Sequence, residues 1–138
     1  MTMLKAPKIP CGSCPYRKDV PPGIWDASEY AKLPSYDGDI PDQLMNGGVP
    51  LFMCHQNDGR LCGGWLACHG AGNLLAMRMH GRDADPAVWD YDPGVEVFAS
   101  GAEAAKHGIS GVNEPPPEAK RKVAGLMRQR AKRRKSHE

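Results

Sequence analysis

Five cysteines in a chain of 138 residues, set as one tight pair and one looser cluster, constrain this sequence more than any other feature. Cys11 and Cys14 stand two residues apart in CGSCPYR, a spacing at which both sulfurs reach one ion while nearby backbone amides hydrogen-bond them. Redox dithiols share that spacing but sit between a strand and a helix, a setting this segment lacks. The remaining donors lie in MCHQNDGRLCGGWLACHG, where Cys54, His55, Cys62, Cys68 and His69 exceed what one tetrahedral ion takes. Cys54 and Cys62, at a strand end and a facing helix start, form the preferred second pair. Cys68 lies deeper along the same helix and reads as a spare that packs as a small hydrophobe. Cys68, His55 and His69 are the substitutes in this ligand set; a satisfied or surface histidine is the competing account of each His.

Four thiolates suit a closed structural Zn²⁺ site, which would stabilise a domain whose apolar core is small. They also suit a [4Fe-4S] cluster, with zinc slightly preferred. An odd number of cysteines fits a reducing compartment better than a disulfide framework. No window approaches 18 consecutive apolar residues, and the first residues lack the apolar run of a signal peptide, so the expected compartment is the cytoplasm.

Gly and Pro contribute 29 residues and aromatics only 7% of the chain, so loops should be long and the core modest. Asp26 with Glu29 has the form of a capping box opening a short helix to about Leu33, closed by Pro34. Residues 37–50 read as a loop, Val49 to His55 as extended, and QNDG at 56–59 as a turn. From Arg60, Cys62, Trp65, Cys68 and His69 recur at helical spacing and share a face, while NLLAMRM at 73–79 is a short helix or strand. VEVFA at 95–99 alternates like a strand, and Ser100 with Glu103 caps a helix to about His107, ended by Gly108. The expected fold is a small irregular α+β domain, metal-stabilised, with short strands and three or four short helices, plus a basic C-terminal helix or tail.

Charge divides the chain. Residues 1–117 carry 9 basic and 14 acidic side chains, residues 118–138 carry 9 basic and 2 acidic. Three consecutive prolines in NEPPPEA favour an extended spacer, giving a cysteine-rich domain over 1–112, a linker over 113–119 and a basic tail over 120–138 that stays outside the core. In the tail, Ala119, Val123, Leu126, Met127 and Arg130 fall at helical spacing. The other faces bear Lys120, Arg121, Lys122, Arg128, Lys132, Arg133, Arg134 and Lys135, dense enough with Arg130 to attract a polyanion by counterion release. A solvated tail, or a stripe that docks on a protein or an acidic membrane surface, is the competing account.

CxxCPYRKD at 11–19, GIWD at 23–26, LFMCHQ at 51–56 and LCGGWLACHG at 61–70, in that order, resemble a small cysteine-rich family of unknown function (DUF6283-like) from actinobacteria and their phages. The resemblance spans roughly residues 9–80, brings no assigned reaction, and implies that Cys11, Cys14, Cys54 and Cys62 are the shared set. CGSCPYR followed by GIW is also similar, in part, to the WhiB-like iron–sulfur regulators, which implies a cluster. Their further cysteine is missing, and Asp26 and Ala27 replace two glycines of their later motif.

Catalysis would need an open metal position or an activated nucleophile, for which His55, Asn57, Asp58 and His69 are the available groups. No paired carboxylates, Walker or HExxH motif accompany them. Arg17 and Asp19 form an ion pair beside the first cysteines or lie on the surface. The expected function is a noncatalytic metal module with four cysteine ligands, an accessory or regulatory factor whose basic tail engages nucleic acid or a nucleic-acid-associated host protein. A redox-active iron–sulfur protein is the alternative, with a metal-dependent nuclease below it.

Overall fold

A computed structural model describes residues 3–57 and 59–136, with side chains as far as Lys132. Among these residues six α-helices run in chain order: α1 (Ala27–Ala31), α2 (Ile40–Asn46), α3 (Gly63–His69), α4 (Leu75–His80), α5 (Gly101–Ile109) and α6 (Pro117–Ser136). Short 3-10 turns at Leu33–Tyr36, Ala71–Asn73 and Pro86–Asp90 lie between them. The core gathers around α3, with Trp65 and Leu66 fully buried against Tyr16, Leu33, Leu61, Leu74 and Met77. Its size fits the few aromatics available.

The fold is mostly helical, which overturns the expected α+β class. Among the described residues there is no sheet, only isolated bridges of Lys5 with Arg60, Arg17 with Val97 and Met53 with Leu61. VEVFA alternates as a strand does, yet only Val97 forms a bridge; Lys18 donates to Glu96 and Phe98 to Tyr16 before the chain enters α5. Pro93 and Gly94 on one side and Ser100 on the other leave no length over which a ladder can propagate. Alternation reports one buried face and is silent on whether a partner strand exists.

Helix α2 occupies the stretch expected to be a loop. Asp39 accepts from the Asp42 amide while the Asp42 carboxylate accepts from the Asp39 amide, a reciprocal cap, and Gly47 closes the helix at φ 84°. Hydrophobic periodicity misses it because its apolar residues face outward: Leu44 is 62% and Met45 86% exposed. The buried residue is Gln43, which donates to the Gly38 and Asn73 carbonyls and accepts from the Leu75 amide. At α1 the expected capping box is absent: Asp26 makes no side-chain cap, and Glu29 turns instead to Lys32 and His55.

Helix α5 packs on α1 and on Leu33–Tyr36. Ser100 caps it by accepting from the Glu103 amide, and Asp37 reaches across to accept from the Gly101 and Ala102 amides. It runs past Gly108, which does not take the left-handed conformation of a terminating glycine; that position faces the Tyr30 ring, where any Cβ would collide. NLLAMRM resolves as the helix α4.

The apolar stripe of α6 is seated on the body, against the expectation that the tail stays outside a core. Ala119 is completely buried on Val20 and Ile24, with Val123 and Leu126 packed beside it. Pro117 opens the helix, where its missing N–H costs nothing.

Candidate metal centre

Two segments and one helix start bring four thiols together. Cys11 and Cys14 lie on a tight turn, closed by the Cys14 amide donating to the Cys11 carbonyl at 3.0 Å. Cys54 and Cys62 are joined through the short antiparallel contact around Met53 and Leu61, in which the Cys54 amide donates to Arg60 and the Cys62 amide to Phe52. Cys62 is also the residue that precedes α3, so its sulfur stands at the amide end of that helix. The Cys14 and Cys62 sulfurs are 3.7 Å apart, the Cys11 sulfur lies 3.7 Å from the Ser13 hydroxyl, and Cys14 and Cys54 are the thiols that act on Cys11.

Order along this group runs Cys54, Cys11, Cys14, Cys62. Among the described residues no three His, Cys, Asp or Glu side chains already close around a common point as a metal cage. The thiols form a row of neighbours.

Backbone amides face three of these sulfurs, each from the residue two positions on: Ser13 to Cys11, Tyr16 to Cys14 and Gln56 to Cys54. The Asn57 side-chain amide adds a donor to Cys54 at 3.3 Å. N–H donors favour the thiolate, yet Cys11, Cys14 and Cys54 are each pushed toward the neutral thiol. Cys14 raises Cys11, opposed by Cys54 and helped by burial. At Cys14 the contact with Cys11 lowers the value, and Cys62 together with burial outweighs it, leaving the thiol well above its ordinary range. Cys54 is raised by Cys11 and then by burial. Crowded, buried sulfurs with amides aimed at them ionise together only if a cation joins them.

The surroundings admit sulfur and little else. A Cβ on Gly64 would strike the Cys14 sulfur and the Tyr16 Cβ, and one on Gly63 would strike the Tyr91 hydroxyl. Tyr91 covers the group from a distant segment, donating to the Pro7 carbonyl at 2.7 Å. Burial pushes its own hydroxyl up to about 12, with smaller contributions from all four thiols. Arg17 donates to the Pro10 carbonyl at 2.9 Å and forks onto Asp19 at 2.8 and 2.6 Å, so these two residues form an ion pair beside the first turn. From α6, the Lys122 ammonium comes within 3.3 Å of where a Cβ on Gly12 would stand.

The three substitute ligands lie in other surroundings. His55 pairs with Glu29 at 3.0 Å and stacks on Trp25 with ring centres 4.5 Å apart. His69 bonds the Tyr16 hydroxyl at 3.1 Å and faces Asp37 at 3.6 Å. Burial lowers its pKa to about 4, against the pull of Asp37. Cys68 is pushed up to about 12 by burial and, with His69, lines a separate cavity of about 520 Å³ beside Asp37 and Arg78. Of the groups weighed for catalysis, Asn57 faces Cys54, and Asp58 lies outside the described residues.

Lys120, Arg121, Lys122, Arg128, Arg130 and Lys132 are exposed along α6. The side chains of Arg133, Arg134 and Lys135 lie outside the described residues. Tyr91 and Lys122 carry no local signal that ties them to the cysteines, whereas the paired glycines directly after Cys62 do.

A small helical domain organised around a cysteine group is the class defined by these features. Residues 6–130 match a family of unknown function (DUF6283), and the chain belongs to that family. The match reaches well beyond the stretch 9–80 and takes in most of α6. No curated protein and no solved structure matches the chain. Among the described residues no helix is long and apolar enough to cross a membrane.

Proposed function

We propose that the protein is a noncatalytic metal-binding module in which Cys11, Cys14, Cys54 and Cys62 hold one Zn²⁺, and that the exposed face of α6 engages nucleic acid. The observation that carries the first part is the shared neighbourhood of four thiols, Cys14, Cys54 and Cys62 buried and Cys11 half-buried, three of them met by backbone amides. Zn–S bonds of about 2.3 Å in a tetrahedron place sulfurs about 3.8 Å apart. The Cys14–Cys62 separation of 3.7 Å is in keeping with that. On an iron–sulfur cube each cysteine binds a different iron, which spreads the sulfurs further; this favours the single ion.

Bound there, Zn²⁺ would supply structure: it would cross-link the amino-terminal turn to the start of α3. Four thiolates around it leave about two net negative charges, and Arg17 and Lys122 are the nearby cations that would face them. The nucleic-acid reading rests on the six described cations of α6. A regulatory or accessory role in an actinobacterium or its phage rests on the sequence resemblance alone.

Metal and acid-labile sulfide analysis with an absorbance spectrum, on protein purified without air, tests the first part. One zinc per chain without colour is expected; iron with sulfide would put a cluster in its place, and neither metal would end the reading. Because α6 is docked through Ala119, deleting the tail uncovers the body, so charge reversal is the cleaner test of the second part. Lys120→Glu, Arg121→Glu and Arg128→Glu together should flatten the log–log salt dependence of DNA or RNA binding by about 0.9 for each duplex phosphate no longer neutralised, with metal content unchanged.

A further inference from the structure

Where α6 crosses the amino-terminal body, a cleft of about 320 Å³ opens between Trp25, His55 and the helix residues Val123, Leu126, Met127 and Arg130. Its floor is aromatic: the partly exposed indole of Trp25 lies over the His55 ring at 31° with centres 4.5 Å apart. The indole is fixed from below, since its Nε1 donates to the Ser13 carbonyl at 2.8 Å. His55 is fixed by Glu29, whose carboxylate is shared with Lys32. The Arg130 guanidinium hangs 5.9 Å from the Trp25 ring centre, and Met127, 66% exposed, forms the rim.

We infer that this cleft takes an unpaired nucleobase of a single-stranded nucleic acid, deepening the proposal that α6 engages nucleic acid, on which it rests. The indole face not covered by His55 offers a π-surface to a base once the exposed Arg130 side chain, which lies over the ring, swings aside; an aromatic platform beside cations is how single strands are held without sequence reading. The charge arrangement sets the direction. Arg130 lines the cleft from the α6 side, where a phosphate gains from it, while exposed Asp26 on the opposite wall repels phosphate. A strand therefore keeps its backbone on α6 and turns its bases inward. His55 and Glu29 are also a wall of a second cavity, of about 480 Å³, that continues past Phe52 with Lys32 at its edge. Duplex DNA keeps its bases stacked inside and gains only the phosphate contacts.

Fluorescence anisotropy of labelled oligothymidylate and oligouridylate, each of about fifteen nucleotides, against a duplex of the same length reads this directly. Wild-type protein should bind at least one single strand about tenfold tighter than the duplex, the two arms showing whether DNA or RNA is preferred. Trp25→Leu should remove that preference, Trp25→Phe should keep most of it, and Met127→Glu, at an exposed rim position, should weaken single-strand binding with the fold intact by circular dichroism. Equal binding of duplex and single strand, unaltered by Trp25→Leu and Met127→Glu, overturns the cleft while leaving α6 as a backbone-binding helix. No salt-dependent binding to any of the three probes overturns both.

Discussion

The two ends of α3 each carry a cysteine, and they have become different chemical places. At the amino-terminal end Cys62 meets Cys14 within 3.7 Å, and two glycines clear the space for sulfur. At the other end Cys68 shares its surroundings with His69, Asp37 and an open cavity, and no second thiol among the described residues is bonded to it. Residue type is the same at both ends. What differs is convergence: chain segments far apart in sequence deliver further thiols to one end only, and amides are aimed at three of the sulfurs there.

The largest effect expected from that difference is on metal and stability together. If the proposed zinc is held there, Cys14→Ser or Cys62→Ser should lose it and lower unfolding free energy by several kcal/mol, because a structural ion contributes its binding energy to folding. Cys68→Ser should keep the metal and cost about 1 kcal/mol or less. Metal content and denaturant unfolding measured on the three variants decide it, and equal loss of metal from Cys68→Ser would erase the distinction between the two ends.

Acid should act next most strongly, through the carboxy-terminal end. His69 is held neutral down to about pH 4 in the folded chain, while an unfolded histidine takes its proton near 6.5. Below about 6.5 the unfolded chain binds the extra proton, so this contribution to stability is lost as pH falls to about 4, on the order of 3 kcal/mol in all. His69→Gln removes that slope. The difference between wild type and His69→Gln over this window isolates it from acid release of metal, which affects both proteins alike; parallel pH curves would show that His69 does not titrate as buried.

A smaller effect sharpens the comparison at the first end. Gly64→Ala forces a methyl into the Cys14 sulfur and the Tyr16 Cβ, and overpacking of this kind costs about 1–3 kcal/mol. Gly72→Ala, just beyond α3 where a Cβ meets nothing within 4 Å, should stay within about 0.5 kcal/mol of wild type. Thermal melts and competition with a chelator report both, and a harmless Gly64→Ala would mean that the sulfur group has room to shift.

Much of this contrast is legible in the residues themselves. Cysteine spacing pairs Cys11 with Cys14, the placing of Cys54 and Cys62 at a strand end and a helix start makes them the preferred second pair, and the recurrence of Cys62, Trp65, Cys68 and His69 locates α3. Those features are local. Tyr91 and Lys122 reach the same place from segments whose own sequence says nothing about sulfur, so only the folded chain reveals them. The expected strand at VEVFA fails because the segment has the right alternation and no ladder to join. Helix α2 escapes notice for the opposite reason, since its stabilising contact is a buried amide and its leucine and methionine face water. The stripe on α6 shows plainly in the sequence, but the surrounding charge makes the helix look solvated when one face of it covers Val20 and Ile24.

Gln43 has a consequence for how the molecule breathes. Its side chain joins the Gly38 and Asn73 carbonyls to the Leu75 amide, so the middle of α2 and the first turn of α4 hang on one residue. A helix with no apolar face of its own has little else to hold it down, and regions with few buried contacts open most often. When α2 lifts, Gln43 leaves with it, and the Leu75 amide is exposed in the same event. The Leu75 proton should therefore exchange with solvent at the pace of α2, and its neighbour Met77, buried in the core, at the slower pace of global unfolding.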